Sequence, residues 1–209
     1  MVKKMLMLTM VFSGSLLTSC SSVQVYVHKE PNKKEELFKI QQNQLIKAPI
    51  LKVIDGDTIL VKLKNSNQSV RFYGIDTPET YKENHKEMLA KYENFYAQKA
   101  KEYLSNLLEK HEYVYLYEQG TDVYKRMIAV IYLPEEQVKI DNSVNNNLIE
   151  NGFARVAFIC ENNCRYYQVK NEFQKEFLHT LNDQETKAKN QHLNIWSKNI
   201  HEVFHKRWP

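Results

Sequence analysis

Val53-Ile54-Asp55-Gly56-Asp57-Thr58, followed by Arg71-Phe72-Tyr73-Gly74-Ile75-Asp76-Thr77-Pro78-Glu79-Thr80, is the stretch on which the reading of the fold turns. Ile50 to Ile54 and Thr58 to Leu63 are apolar-rich runs joined at Asp55-Gly56-Asp57. An Asp-Gly pair between such runs is a strong hairpin signal. Ser69 to Ile75 reads as a third strand. Outward from there, Tyr81 to Lys110 holds no Gly or Pro, and Tyr96, Ala100, Tyr103, Leu104, Leu107 and Leu108 recur at helical spacing. Tyr113 to Tyr117 and Met127 to Leu133 are two further β-rich runs across a polar turn. Val144 to Asn151 reads as a short helix stopped by Gly152, and Phe153 to Ile159 as an apolar extended segment. Arg165 to Lys189 reads as a long helix that turns Val169, Phe173, Phe177, Leu178 and Leu181 to the core. Five strands with inserted and terminal helices predict an α+β fold, a five-stranded Greek-key β-barrel of OB type. Such barrels commonly offer one face to nucleic acid or sugar.

The composition leaves room for this fold and excludes others. Of 209 residues, 43% are apolar and 11% aromatic, enough to build a core. Five Gly and five Pro exclude a collagen-like chain, and three Cys are too few for a disulfide-built scaffold. A formal charge of +4 permits a polyanionic partner without demanding one.

The first residues read as an address. Lys3 and Lys4 precede an apolar run from Met5 to Leu17, shorter than the ~20 residues of a spanning helix. Leu17-Thr18-Ser19-Cys20 then looks like a bacterial lipobox, with cleavage before Cys20 and a diacylglycerol on its thiol; the bland alternative is a plain secretory signal. On the first reading, residues 1–19 are a lipoprotein signal peptide and 20–45 a lipid-anchored tether. The chain then sits on the extracytoplasmic face of the cell membrane. Removing residues 1–19 removes two lysines and no acid, taking the charge from +4 to +2, so a polyanion must be met by locally placed cations. The body is expected over 46–197. The tail 198–209, with Phe204 and Trp208, either packs on it or flaps free.

The chemistry-bearing residues fall beside predicted strand ends. Asp55 and Asp57 flank the turn, Asp76-Thr77-Pro78-Glu79 follows the third strand, Arg71 lies within it, and Arg126 precedes the fifth. Carboxylates from adjacent loops can ligate a hard divalent cation. Arg offers phosphate two parallel hydrogen bonds at fixed geometry. Phosphodiester cleavage needs neutralised phosphoryl charge and an oriented water, and a metal can help with both. Each piece alone has a plainer reading: a turn, a helix cap, a surface cation.

Taken together, the ordered segments resemble the staphylococcal nuclease (thermonuclease) family. Those segments are the two quoted above, Asp122-Val123-Tyr124-Lys125-Arg126, Val144-Asn145 through Leu148, Gly152-Phe153-Ala154-Arg155-Val156-Ala157 and Leu193-Asn194-Ile195-Trp196-Ser197. The resemblance implies an OB-fold barrel with three helices that cleaves DNA and RNA with Ca²⁺, leaving 3′-phosphates. It implies that Asp57, Asp76 and the Thr77 carbonyl hold Ca²⁺, that Glu79 positions or deprotonates the attacking water, and that Arg71 and Arg126 bind the scissile phosphate. It implies that Tyr124 lies by the nucleotide's terminal phosphate. DNA and RNA are the implied substrates, with no protein partner implied.

Three departures stand out. Val123 replaces a phosphate-contacting cation, leaving Lys125 to compensate or not, at a position where the family has Gly. Phe158 keeps one stacking ring, but Cys160 loses the other; stacking contributes ~1–3 kcal/mol per base. Cys160 and Cys164 either form a disulfide or stay as thiols. The seven His show no ligand motif. The second functional reading is a non-catalytic OB-type nucleic-acid binder at the cell surface.

Overall fold

The computed structural model describes residues 44–64, 66–81, 89–134, 138–162 and 167–205. The stretch expected to be a signal peptide, Cys20, the expected tether up to residue 43, Cys164 and Trp208 lie outside the described residues.

In chain order the elements are β1 (Ile46–Asp55), β2 (Thr58–Leu63), β3 (Ser66–Phe72), β4 (Ile75–Asp76), α1 (Glu93–Leu108), β5 (Tyr113–Thr121), β6 (Met127–Tyr132), α2 (Val144–Glu150), β7 (Arg155–Val156), β8 (Ile159–Cys160), β9 (Tyr167–Gln168), α3 (Glu172–Asn190) and α4 (Ile200–Val203). Five strands close a barrel in the order β1-β2-β3-β6-β5. The first hairpin turns at Gly56, with Asp55 paired to Thr58. β1 returns to β5 antiparallel, Ile46 opposite Leu116 and Ala48 opposite Val114. β3 and β6 run parallel, Arg71 opposite Ile128. This is the α+β architecture expected from the sequence: a five-stranded mixed barrel with three main helices.

Alternation fills the barrel. Ile59 and Val61, Val70 and Phe72, and Val114 and Leu116 point inward and are buried. Each such aliphatic or aromatic side chain gains about 1.5–3 kcal/mol from burial. β6 is buried on both faces from Ile128 to Tyr132, because α2 covers its outer side. α1 buries Tyr96, Ala100, Leu104 and Leu108 as its spacing predicts, with Tyr103 and Leu107 half-buried.

Several boundaries differ from the sequence reading: β1 starts at Ile46 rather than Ile50, β3 at Ser66 rather than Ser69, α1 at Glu93 rather than near Tyr81, and β5 runs to Thr121 rather than Tyr117. Three further differences have a local cause. The third strand breaks after Phe72, because Gly74 takes φ +78°; a Cβ there would also lie 2.8 Å from Leu181 Cδ1. The extended run 153–159 breaks at Phe158, itself left-handed at φ +62°. The long helix begins at Glu172 rather than Arg165. Asn171 Oδ1 accepts from Gln174 N (2.9 Å) and Gln174 Oε1 accepts from Lys170 N (2.8 Å), a reciprocal cap that fixes the start. The preceding Tyr167 and Gln168 pair with Ile159 and Cys160. The tail packs as far as it is described: Val203 and Phe204 are buried against Tyr96 and Ile195.

Candidate active site

The register of β2 on β3 sets Thr58 opposite Arg71, so Arg71 projects beside the turn that carries Asp57. Its guanidinium bridges two acids. Nη1 donates to Asp57 Oδ1 (2.6 Å) and Nη2 to Asp76 Oδ1 (2.8 Å). Asp57, 1% exposed, is further held by Thr58 Oγ1 on Oδ1 (3.0 Å), and by Thr77 N (2.9 Å) and Thr77 Oγ1 (3.0 Å) on Oδ2. Asp76 gives its other oxygen to Arg155, whose Nε (3.1 Å) and Nη2 (2.8 Å) both donate to Oδ2. Thr80 Oγ1 donates to Asp55 Oδ1 (2.8 Å) and fastens the loop after β4 to the hairpin. Burial pushes the Asp76 carboxyl up, while Arg71 and Arg155 pull it back. For Arg71, burial works against the charge, but Asp57, Asp76 and Glu79 together outweigh it and raise its pKa. Glu79 itself is exposed, at the solvent edge of this network.

Arg126 is presented by a loop organised around Asp122. Asp122 Oδ1 accepts from Tyr124 N (2.9 Å) and Arg126 N (2.9 Å), while Oδ2 accepts from Arg126 Nε (2.7 Å). Gln68 Nε2 donates to Lys125 O (3.1 Å) and ties the loop to β3. Because Val70 pairs with Met127, Arg126 stands at the start of the strand next to that of Arg71. The Tyr124 ring lies 5.5 Å from the Arg126 guanidinium and is 77% exposed. The Phe158 ring lies 5.5 Å from that of Arg71. Asp57, Arg71, Asp76 and Thr77 thus form one hydrogen-bonded network with Glu79 at its rim and Phe158 beside it. Tyr124, Lys125 and Arg126 belong to a second, more exposed group.

Residues 69–198 match the family described as staphylococcal nuclease homologue. Similar proteins include the SPbeta prophage-derived endonuclease YokF of Bacillus subtilis, 31% identical over 75% of this chain and 46% of that protein. Endonuclease YncB of the same organism is 31% identical over 75% of this chain and 64% of that protein. The thermonuclease of Staphylococcus hyicus is 31% identical over 71% of this chain and 74% of that one. The chain belongs to the staphylococcal nuclease family. It spans about half the length of YokF and just under two thirds of YncB.

As a staphylococcal nuclease homologue, the chain has a donor set that suits a hard cation in kind: two carboxylates, each turning one oxygen toward a common point. Here that point holds the Arg71 guanidinium. Among the described residues no group of three or more His, Cys, Asp or Glu could hold a metal, so a cation at this pair must draw its remaining ligands from backbone, water or substrate oxygens. Asp57 already accepts four hydrogen bonds. A cation held by both of these oxygens would have to compete with the guanidinium for them.

The departures from the family pattern have places too. Lys125 stands in the left-handed region at φ +63°, which a glycine adopts without strain. Val123 is 90% exposed. Cys160 is disulfide-bonded.

Three residues escaped the sequence reading. Arg155 and Asp122 both lay inside recognised segments, and Asp122 carried an Asx-turn signal two residues before Tyr124. Tyr167 donates its N–H to Phe158 O (3.2 Å). Burial raises its pKa, and its hydroxyl feels the charges of Asp122, Arg126 and Arg71. No spacing rule links it to those groups.

Proposed function

We propose that this chain is a Ca²⁺-dependent, sugar-nonspecific nuclease that hydrolyses phosphodiester bonds of DNA and RNA and leaves 3′-phosphate ends. The observation that carries the reading is the Arg71 fork, held between Asp57 and Asp76, with Arg126 in the loop that leads into the neighbouring strand. Such an arrangement can meet a phosphate from two sides while two carboxylates remain for a cation. The relatives' names, two endonucleases and a thermonuclease, support it.

In this reading Arg71 exchanges its carboxylates for phosphoryl oxygens when substrate enters, and Arg126 supplies a second guanidinium. Both stabilise the charge that grows on those oxygens in the transition state. Glu79, exposed at the rim, orients the attacking water and accepts its proton. The water oxygen bonds to phosphorus, the bond from phosphorus to the 5′-oxygen breaks, and a proton returns to that leaving oxygen. Asp57, Asp76 and Thr77 would hold Ca²⁺, which when bound polarises the phosphoryl group and binds water. Tyr124, Lys125 and Phe158 contact the nucleotide. At the second stacking position Cys160 offers no ring, so base preference differs from a two-ring site.

The same proposal puts the chain outside the cytoplasm, tethered by a lipid on Cys20. The disulfide at Cys160 supports an oxidising compartment. Among the described residues no helix is long and apolar enough to cross a membrane. Metabolic labelling with a radioactive fatty acid checks the tether, and labelling that persists in Cys20→Ser overturns it.

Cleavage is tested by incubating the purified protein with plasmid and single-stranded DNA in millimolar Ca²⁺, and in chelator, beside Glu79→Ser. Degradation that needs Ca²⁺ and is lost in the variant supports the nuclease. Binding without cleavage by the wild type transfers the reading to a nucleic-acid receptor built on the same barrel.

A further inference from the structure

The family match ends at residue 198, yet the seven residues that follow are built into the support of the candidate site. Asn199 Oδ1 accepts from His201 N (3.1 Å) and opens α4. Tyr92 N donates to Glu202 O (2.7 Å). His205 N donates to Glu93 Oε2 (2.9 Å), the oxygen that also takes Ala90 N (2.8 Å) at the start of α1. Between these ties Phe204 is 4% exposed, and its ring lies 3.8 Å from the Arg155 guanidinium.

That guanidinium is in turn the clamp on Asp76. Arg155 lays one face on the ring and points Nε and Nη2 at Asp76 Oδ2. Its side chain is 12% exposed, so the cation–π contact is largely desolvated, where such contacts are strongest. The two oxygens of Asp76 are thereby divided: Oδ2 belongs to Arg155, and Oδ1 faces Arg71 and Asp57. A carboxylate turns about one bond. What fixes its Oδ2 fixes the direction of its Oδ1. Arg has a long stem with many rotamers, and in this structure the aromatic face of Phe204 lies against its guanidinium.

We propose that Phe204 is a positioning residue for the candidate active site, acting through Arg155 to set the orientation of Asp76. Residues 199–205 are then a strap that completes the site from outside the matched span. The inference rests on the reading of Asp76 as part of a Ca²⁺-dependent nuclease centre. It extends that reading to a segment that the resemblance does not cover.

The test compares the full chain with Phe204→Leu, Phe204→Tyr and Arg155→Lys, each checked for folding by thermal melting. Leu keeps an apolar side chain of somewhat smaller volume but has no ring face; Tyr keeps the face; Lys keeps the charge but loses the planar fork. The first readout needs no activity: exchange of the Arg155 Nε proton with solvent, followed by ¹⁵N NMR. In Phe204→Leu it is expected to speed up by about tenfold or more, and in Phe204→Tyr to stay at the wild-type rate.

The second readout is the Ca²⁺ concentration for half-maximal cleavage of single-stranded DNA. It should rise by about tenfold in Phe204→Leu and Arg155→Lys, with KM for DNA within about twofold of wild type. An unchanged Arg155 exchange rate in folded Phe204→Leu overturns the proposal whatever cleavage does. So does faster exchange with no change in the Ca²⁺ requirement of an active enzyme. A wild type that cleaves nothing overturns the nuclease reading instead, and Arg155 exchange still decides the positioning claim. If Phe204→Leu does not fold, Phe204→Met, which also lacks a ring face, carries the same two readouts, and a wild-type Arg155 exchange rate in that variant is the overturning result.

Discussion

Arg71 and Arg126 carry the same charge but are held differently, and the difference sets what the loss of each costs. Arg71, 13% exposed, neutralises two buried carboxylates at once. Arg71→Ala leaves Asp57 and Asp76 facing each other with Arg155, on Asp76, as the neutralising cation among the described residues, and breaking a buried pair costs about 3–5 kcal/mol. Urea denaturation should show a loss of that size, so lost activity in this variant does not isolate a catalytic role. Arg126 is the cleaner probe. It is 31% exposed and ion-paired to Asp122, which is 9% exposed but keeps two backbone N–H donors when the guanidinium is lost, so the pair contributes about 1 kcal/mol, the upper end for surface pairs. Arg126→Ala should therefore keep its melting temperature nearly unchanged while turnover on DNA falls by about 10²-fold or more. Near-normal turnover would refute its assigned role. Lys125 tests a different quantity at the same loop. Its left-handed backbone costs a non-glycine residue roughly 1 kcal/mol, of which extra freedom in the unfolded chain takes part back. Lys125→Gly should leave the protein at least as stable, and an accompanying rise in KM for DNA would show that the ammonium contacts substrate.

At the level of elements, α2 shows how a helix is bolted to the barrel beneath the site. Asn145 is fully buried; its Oδ1 accepts from Ile131 N (3.0 Å) and its Nδ2 donates to Tyr73 O (2.9 Å) and, more weakly, to Ala129 O (3.4 Å). One side chain thus satisfies backbone groups on β6 and on the β3–β4 turn that leads to Asp76. Each orphaned buried group costs about 1–3 kcal/mol, so Asn145→Ala should lose roughly 3 kcal/mol in a denaturant titration. A loss under about 1 kcal/mol would show that water replaces the amide. The elements themselves were legible in the sequence because their signals are local: Asp-Gly at the first hairpin, helical spacing from Tyr96 to Leu108, Gly152 after α2. What escaped was of two kinds. Positive φ at Phe158 and Lys125 is invisible in residues that ordinarily avoid it, so the extended run to Ile159 ran too long. The helix start at Glu172 was visible in Asn171 and Gln174, but the run of charge and aromatics before it masked the cap. At the site, the residues within a few positions of the Asp-Gly-Asp and Asp-Thr-Pro-Glu strings were found. Arg155 and Phe204 were not, since only the folded chain brings Arg155 to Asp76 and Phe204 to Arg155.

On the scale of the whole molecule, the candidate centre is close to charge-balanced before any ion arrives: Asp57 and Asp76 face Arg71 and Arg155. A cation must compete with a guanidinium for the same oxygens, and the described residues offer it no third carboxylate from a clustered set. Binding in the absence of nucleic acid is therefore expected to be weak, with a Kd in the ~10⁻⁴–10⁻³ M range of open extracellular Ca²⁺ sites. An ion that binds only the folded chain stabilises it by RT ln(1 + [L]/Kd), about 1.4 kcal/mol at tenfold and about 2.7 kcal/mol at hundredfold excess over Kd, the span that 10 mM covers for this Kd range. For a chain of this size that is a rise in melting temperature of about 3–11 °C. Differential scanning calorimetry in 10 mM CaCl₂ against chelator should show this rise, and the double variant Asp57→Ala with Asp76→Ala should not. A larger rise would require a ligand set richer than the pair provides. No rise in the wild type, alongside Ca²⁺-dependent cleavage, would mean that the carboxylates hold the ion only when the substrate phosphate has already drawn Arg71 away, which makes the guanidinium rather than the metal the first group to move.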